Sequence, residues 1–284
     1  MSKGFKLLRL EYLFSVLIPC FLAIYMGKAQ SSTGNYELSA NIWIIAGFAF
    51  YAITGNTLND AIDMKDPREK ETLERVAGFH RKEILVLAIA SFMLGTACFL
   101  NNMIVNPPEV PDPVLAIYLV IIVVLVIFYV KFKSLVIINQ IILGISHIFL
   151  PWFMIKINAG DTFMNFLPVL PLSEWLLLGT IASVAFTGQM LHEMIDGDSL
   201  AQLSPKNSQL VIWIASLISL AIAITSFMFT RLLIFLPIVL FPMGIMYIFR
   251  KPRSDLLGQT SLKDTGIILG NLMFVYIIIL TLVS

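Results

Sequence analysis

Long apolar segments alternate with short polar loops along the whole chain. Nine segments contain about 18 to 22 mostly apolar residues, the length at which a helix crosses a hydrocarbon core of about 30 Å. These predicted spans cover residues 8–26, 41–59, 82–100, 113–130, 134–155, 173–192, 207–227, 232–249 and 264–283. The pattern predicts an all-α membrane protein, a bundle of nine transmembrane helices. No linker interrupts it, which favours a single membrane domain over residues 1–284.

Composition and charge support this assignment. The chain is 58% hydrophobic and 13% charged, with a mean hydropathy of +0.88. If the N-terminus is cytoplasmic, 16 of the 19 basic residues fall in inner segments, and only Lys28, Lys156 and Arg231 fall outside. The positive-inside rule therefore predicts a multi-pass protein with a cytoplasmic N-terminus. The net charge of +1 argues against a nucleic-acid partner, which would select a strongly basic surface.

One acidic phrase occurs twice, each time at the end of an apolar segment. Residues 55–63 and 188–196 both match G-[NQ]-x-L-[NH]-[DE]-x-I-D, at an offset of 133 residues, and Asp66 and Asp198 trail the two copies. Four predicted spans separate the copies, and an even number of spans returns the chain to the same side. We therefore predict a parallel repeat of four-helix units, with both phrases at one mouth facing the cytoplasm.

The carboxylates of each phrase have a spacing that suits a metal site. Asp60 and Asp63 are three residues apart, as are Glu193 and Asp196, so each pair projects from one face of a helix end. Such a cluster near a membrane is costly without a cation. Oxygen ligands suit Mg²⁺, which commonly completes its shell with substrate phosphates. The pattern predicts a Mg²⁺-bridged diphosphate at the mouth of an apolar bundle, as a prenyl diphosphate would supply.

Basic residues near the phrases allow two interpretations. Arg68 and Arg75 follow the first phrase and Lys133 lies on another inner loop, where these cations suit non-bridging phosphate oxygens. Alternatively, the acids form structural ion pairs with the loop Lys and Arg residues. The doubling of the phrase favours the site. Residues 69–75 are compatible with a short surface helix or with a solvated connector.

The motifs resemble those of the UbiA superfamily of intramembrane prenyltransferases. The family signature N-D-x-x-D-x-x-x-D begins as N-D-A-I-D at residues 59–63, and the family element Y-x-x-x-K appears as Y-V-K-F-K at residues 129–133. In the second signature, D-x-x-D-x-x-x-D, Glu193 replaces the leading Asp. The third acids, Asp66 and Asp198, come one and two residues early.

The resemblance implies that an allylic diphosphate is ionised with the help of Mg²⁺ and that the prenyl group passes to a lipophilic acceptor. The implied catalytic residues and metal ligands are Asp60, Asp63, Glu193 and Asp196, with Asp66 and Asp198 as further metal candidates. The implied diphosphate-binding residues are Asn59, Tyr129, Lys133, Arg68, Arg75 and His192. His192 is equally compatible with a base or with a helix-end histidine bonded to backbone. Aromatic side chains would line the prenyl cavity or simply pack, for example Phe48, Tyr51 and Tyr118.

Two other functions remain open from the sequence. A UbiA-like terpene cyclase would use the same ionisation site without an acceptor. A cation transporter would use the acids as ion ligands, but its ionisable residues are expected near mid-span, whereas these lie at helix ends. The acceptor, the prenyl chain length and the oligomeric state leave no signature.

Overall fold

The computed structural model describes residues 6–30, 34–65, 70–105, 113–132, 136–160, 166–196, 203–253, 255–256 and 259–284. Within these ranges every regular element is helical. The α-helices are α1 (Phe14–Gln30), α2 (Leu38–Asp63), α3 (Lys70–Arg75), α4 (Arg81–Val105), α5 (Pro113–Phe132), α6 (Val136–Gly144), α7 (Leu150–Asn158), α8 (Leu172–Asp196), α9 (Pro205–Thr230), α10 (Leu240–Ile248) and α11 (Thr260–Val283).

Each predicted span overlaps an apolar helix. In the described part of the chain, six helical segments are long and apolar enough to cross a membrane: α2, α4, the run Gln140–Asn158, α8, α9 and α11. Three shorter apolar helices are Phe14–Gln30, Val114–Phe128 and Leu233–Ile248. The all-helical prediction is confirmed, while the count of nine membrane crossings and the cytoplasmic N-terminus stay predictions.

Irregular turns occur in the first and fifth predicted spans. The first was placed at residues 8–26, but α1 begins at Phe14, after a 3-10 turn at Leu10–Tyr12. Arg9 precedes that turn, and its backbone lies in the left-handed region, with φ of 48°. A residue in this conformation cannot be part of a regular right-handed helix. In the fifth span, a π-helical turn at Ile145–Phe149 separates α6 from α7.

The chain packs as two compact units. The first comprises residues 1–133, 145–169 and 277–284, and the second comprises residues 134–144 and 170–276. The first acidic phrase therefore belongs to the first unit and the second phrase to the second unit.

In the first unit, α2 and α4 pack closely because two glycines leave room for aromatic rings. A Cβ on Gly47 would lie 2.7 Å from the ring of Phe99, and a Cβ on Gly95 would lie 2.4 Å from the ring of Tyr51. At the start of α2, the buried Asn41 accepts a hydrogen bond of 2.9 Å from Asn158 on α7. These contacts fix α2, whose opposite end carries the acidic phrase.

In the second unit, α8 and α9 are joined by hydroxyl groups and by a buried apolar cluster. The Thr187 and Ser219 hydroxyls lie 2.8 Å apart, and Ser219 donates to the Ser183 carbonyl at 2.8 Å. The cluster consists of Met190, Leu191, Met194, Ile195, Ile212, Ile245, Phe249 and Leu256. It surrounds the last turns of α8, where the second acidic phrase lies.

Many large apolar side chains are exposed on the surface of the helices. On α4, Val86, Ile89 and Met93 are all more than half exposed, and their spacing of three and four residues places them on one helix face. A soluble monomer rarely exposes such stripes, whereas a membrane-spanning helix turns them towards lipid.

Candidate functional site

The first acidic phrase forms the last turns of α2. The helix continues through Asp63, four residues beyond the predicted end of the span at residue 59. Asp60 is 0% exposed, while Asn59 and Asp63 are half-buried. The helix therefore carries these side chains beyond its apolar segment, in the i, i+3 relation that the sequence predicted for Asp60 and Asp63.

The Asp60 carboxylate is held by the guanidinium group of Arg75. The Arg75 Nε atom donates to Asp60 Oδ2 at 3.0 Å, and the Nη2 atom donates to Oδ1 at 2.8 Å. Burial opposes the charge on Arg75, but the hydrogen bonds and charge of Asp60 outweigh it, so the pKa of the guanidinium is raised. The two side chains thus form a bidentate, nearly solvent-free ion pair.

Short-range contacts on α3 orient Arg75. Its Nη1 atom donates to Glu71 at 3.3 Å, and its Nη2 atom donates to the Thr72 hydroxyl at 3.2 Å. The adjacent Val76 is buried in an apolar cluster with Leu7, Ala61 and Ile84. This cluster holds α3 against the end of α2, so the predicted short helix exists and brings Arg75 onto Asp60.

Arg9 is a third charged side chain beside Asp60 and Arg75. The sequence indicated Arg9 only as one of the basic residues that set the membrane orientation. Its Nη1 atom lies 3.8 Å from Asp60 Oδ1, and its guanidinium lies 4.3 Å from the ring centroid of Tyr12. The residue is 9% exposed, and its Nε atom is buried with no hydrogen-bond partner among the described residues. Two guanidinium groups therefore surround one carboxylate.

Asn59, the asparagine of the first signature, offers a buried acceptor. Its Oδ1 atom has no hydrogen-bond partner within the described part of the chain, and the same holds for the Nδ2 atom of Asn56 one turn earlier. A buried polar atom without a partner is costly. Asn59 Oδ1 is thus an available oxygen ligand one residue before Asp60 in the chain.

The second phrase forms the last turns of α8, which extends through Asp196 rather than ending at residue 192. Glu193 is 4% exposed and accepts a hydrogen bond of 2.6 Å from Gln140 Nε2 on α6. His192 is half-buried. The residue type of Gln140 does not by itself indicate this contact, because polar side chains within bundles often only join helices.

The sequence matches one known protein family. The sequence profile of the UbiA prenyltransferase family matches residues 16–261. The chain belongs to the UbiA prenyltransferase family. The resemblance read from the two acidic motifs is thereby confirmed, and membership supports a multi-pass membrane enzyme that transfers prenyl groups.

Solved structures show the same fold. A UbiA homolog from Archaeoglobus fulgidus bound to GPP and Mg²⁺ is 15% identical, with a TM-score of 0.68 over 99% of both chains. A structure of a UbiA homolog from the same organism bound to Cd²⁺ is 16% identical, with a TM-score of 0.64 over 99% of both chains. No curated protein matches the chain.

Several predicted site residues of this UbiA family member lie outside the described residues: Asp66, Arg68, Lys133 and Asp198. The backbones of Tyr129 and Asp196 are described, at the ends of α5 and α8, but their side chains are not. The roles of these six residues remain predictions.

The aromatic residues considered for a prenyl cavity make packing contacts. The Tyr51 hydroxyl lies 2.7 Å from that of Thr96, and its ring stacks on Phe92 with centroids 5.3 Å apart. Phe48 meets Phe99 edge to face, and the Tyr118 hydroxyl donates to the Phe166 carbonyl at 2.8 Å. Packing was the alternative left open for these residues, and it accounts for their contacts.

The oxygen atoms available at the two helix ends are of the type that Mg²⁺ prefers as ligands. Carboxylate oxygens and the amide oxygen of Asn59 are the ligands that hard cations prefer, and Asn59 Oδ1 is buried without a partner. Among the described residues, no three His, Cys, Asp or Glu side chains stand together as a ready metal site. In this arrangement, Arg75 occupies one lone pair on each oxygen of Asp60 and competes with a metal for that carboxylate.

Proposed function

We propose that this protein is a Mg²⁺-dependent intramembrane prenyltransferase. It would ionise an allylic prenyl diphosphate and transfer the prenyl group to a lipophilic acceptor, with its active-site mouth facing the cytoplasm. The observation that carries the proposal is the UbiA family match over residues 16–261, a range that contains both acidic phrases. The structural relative bound to GPP and Mg²⁺ supports the substrate class, since a prenyl diphosphate combines a diphosphate with a hydrocarbon chain.

In this proposal the two helix ends supply oxygen ligands. Asp63 with Asn59 Oδ1 on α2, and Glu193 with Asp196 on α8, would hold Mg²⁺, with Asp60, Asp66 and Asp198 as additional ligands. When bound, Mg²⁺ would neutralise the negative charge that develops on the diphosphate oxygens. Gln140 would orient Glu193 through its hydrogen bond of 2.6 Å.

Arg75 and Asp60 would exchange partners when the substrate binds. A diphosphate offers the guanidinium fork the same pair of oxygens that Asp60 offers. Arg75 could therefore transfer its two hydrogen bonds from Asp60 to the substrate, which would free the carboxylate to act as a ligand. This exchange reconciles the roles predicted for both residues with the contact of 2.8 Å between them.

The reaction then follows from the substrate's chemistry. The bond between the allylic carbon and the diphosphate oxygen breaks, and its electron pair leaves with the diphosphate. An acceptor carbon or oxygen attacks the allylic carbon and loses a proton to the departing diphosphate. Lys133, His192, Tyr129 and Arg68 are the further candidates for holding the diphosphate in place. Apolar walls would keep water from quenching the allylic cation.

The test is a transfer assay with purified protein, Mg²⁺, labelled prenyl diphosphates of several chain lengths and a lipid extract as the acceptor source. We expect the label in a lipid-soluble conjugate, lost in Asp196→Asn and kept in Asp264→Asn, which removes an exposed carboxylate on α11. A cyclic hydrocarbon or alcohol formed without acceptor would instead establish a terpene cyclase. Cation uptake into proteoliposomes without diphosphate turnover would establish a transporter.

A further inference from the structure

A groove lined by basic residues lies beyond the end of α10. Its volume is about 410 Å³, and it is lined by Tyr247, Ile248, Arg250, Lys251 and Arg253. No described residue of either acidic phrase lines it. The proposed reaction therefore leaves this groove without a function.

A buried anchor fixes the position of the groove. Phe249 is 0% exposed, and its carbonyl accepts hydrogen bonds from Gln209 Nε2 at 2.7 Å and from Trp213 Nε1 at 3.0 Å. Its side chain belongs to the same apolar cluster as Met194 and Ile195, in the last turns of α8. The basic residues thus begin where the apolar parts of α8 and α10 end, at the level expected for a membrane boundary.

Among the described residues, the cations of the groove outnumber the carboxylates that pair with them. Asp255 accepts two hydrogen bonds of 2.9 Å from Arg253, and these bonds hold the pKa of its carboxyl at about 2, so this carboxylate offsets one cation at neutral pH. The Arg250 guanidinium lies 4.3 Å from the Tyr247 ring centroid and donates to the Tyr247 carbonyl at 3.1 Å. Lys251 is exposed. Arg250 and Lys251 are left facing the groove as cations.

An apolar stripe leads from the groove along α10. Leu240, Met243 and Tyr247 are 65%, 52% and 66% exposed, and their spacing of three and four residues places them on one face of the helix. A tyrosine beside basic side chains at the end of an apolar helix is typical of the membrane interface. The stripe provides a surface for an acyl chain, and the groove provides cations for a headgroup.

We propose that this groove is a binding site for the phosphate headgroup of an anionic phospholipid, whose acyl chain lies along α10. Guanidinium and ammonium groups are the usual protein partners of phosphate, and basic pockets at helix ends bind anionic headgroups. Free phosphate or a prenyl diphosphate shares this chemistry. Among the described residues, the lining of the groove contains no carboxylate to bind the Mg²⁺ that accompanies a prenyl diphosphate, and the apolar stripe gives free phosphate nothing to bind.

The test counts phospholipids that stay bound to the whole protein. Protein reconstituted in nanodiscs of equal parts phosphatidylglycerol and phosphatidylcholine is released and examined by native mass spectrometry. We expect the wild type to retain phosphatidylglycerol preferentially. Each cation near an anionic surface strengthens binding about fivefold, so Lys251→Gln should weaken retention about fivefold and Arg250→Gln with Lys251→Gln about 25-fold. The matched control is Lys206→Gln, since Lys206 is an exposed cation on α9 that does not line the groove.

Three results would overturn the proposal. An equal loss of phosphatidylglycerol in Lys206→Gln would mean diffuse surface charge rather than a groove. Displacement of the lipid by micromolar inorganic phosphate would assign the groove to a free anion, and displacement by micromolar prenyl diphosphate alone would assign it to the substrate. Thermal unfolding of each variant controls for misfolding, and if the double variant unfolds, Lys251→Gln decides the matter. The readout is bound lipid, so the result is independent of catalysis.

Discussion

The buried pair between Asp60 and Arg75 leads to a quantitative prediction. The Asp60 side chain is 1% exposed and that of Arg75 is 13% exposed, with two hydrogen bonds of 2.8 and 3.0 Å between them. Removing one partner of a buried pair costs about 3–5 kcal/mol, because the other charge stays buried without compensation. Arg9 remains 3.8 Å from the carboxylate and compensates part of the charge. We therefore expect Arg75→Gln to cost about 3 kcal/mol.

This cost is measurable as a shift in melting temperature. For chains of roughly this size, each kcal/mol lowers the Tm by about 2–4 °C, so Arg75→Gln should lower it by about 6–12 °C in detergent. The matched control is Arg253→Gln, because Arg253 and Asp255 share the same two-bond geometry at 2.9 Å while the Asp255 side chain is 64% exposed. An exposed pair contributes little to stability, so the control should stay within about 2 °C. Equal shifts in the two variants would refute the role of burial.

A double-mutant cycle separates the pair from its surroundings. Asp60→Asn alone leaves the buried Arg9 guanidinium without its carboxylate and leaves Arg75 with only the more exposed Glu71, so it should also destabilise. The double variant, Asp60→Asn with Arg75→Gln, removes one charge of each sign and should lose less stability than the sum of the single variants, by about 2 kcal/mol. Additive losses would show that the two side chains do not stabilise each other.

The remaining predictions concern the two acidic helix ends and helix packing. Glu193→Gln and Asp196→Asn should each lower prenyl transfer at least 100-fold with an unchanged Tm, and titration with EDTA should abolish the wild-type activity reversibly. Gln140→Leu should raise the Mg²⁺ concentration for half-maximal activity about 10-fold, with kcat at saturating Mg²⁺ nearly unchanged, because a residue that orients a ligand tunes metal affinity. Gly47→Ala should lower the Tm, since the new Cβ would lie 2.7 Å from a phenylalanine ring, whereas Gly55→Ala on the same helix meets nothing within 4 Å and should preserve or raise it.

The sequence predicted which segments are apolar helices better than where those helices end. Hydropathy placed the second span at residues 41–59 and the sixth at residues 173–192, but α2 continues to Asp63 and α8 to Asp196. Hydropathy reports how much of a segment lipid can cover, whereas a helix ends where its backbone hydrogen bonds end. The polar phrases therefore extend the helices beyond the apolar segments.

Contacts between distant parts of the chain could not be predicted in this way. Asp60 and Arg75 are 15 residues apart, and no helical periodicity couples positions at that separation. Their contact depends on the packing of α3 through Val76. Gln140 and Glu193 are 53 residues apart and meet because α6 lies beside α8. In each case the residue type suggested a polar contact, while tertiary packing chose the partner.

The repeated phrase also shows that equivalent acidic residues in two similar sequences can have different electrostatic surroundings. Mg²⁺ and a guanidinium group both select carboxylate oxygens, so the phrase alone is compatible with a metal ligand and with an ion pair. The carboxylate of Asp60 contacts two cations, whereas the contact of Glu193 with Gln140 is with a neutral amide. Substituting Asp60 leaves the buried Arg9 guanidinium without its carboxylate, whereas substituting Glu193 leaves the neutral amide of Gln140 without this acceptor. The equivalent positions of the two phrases should therefore differ in their cost to folding, even if both bind metal during the reaction.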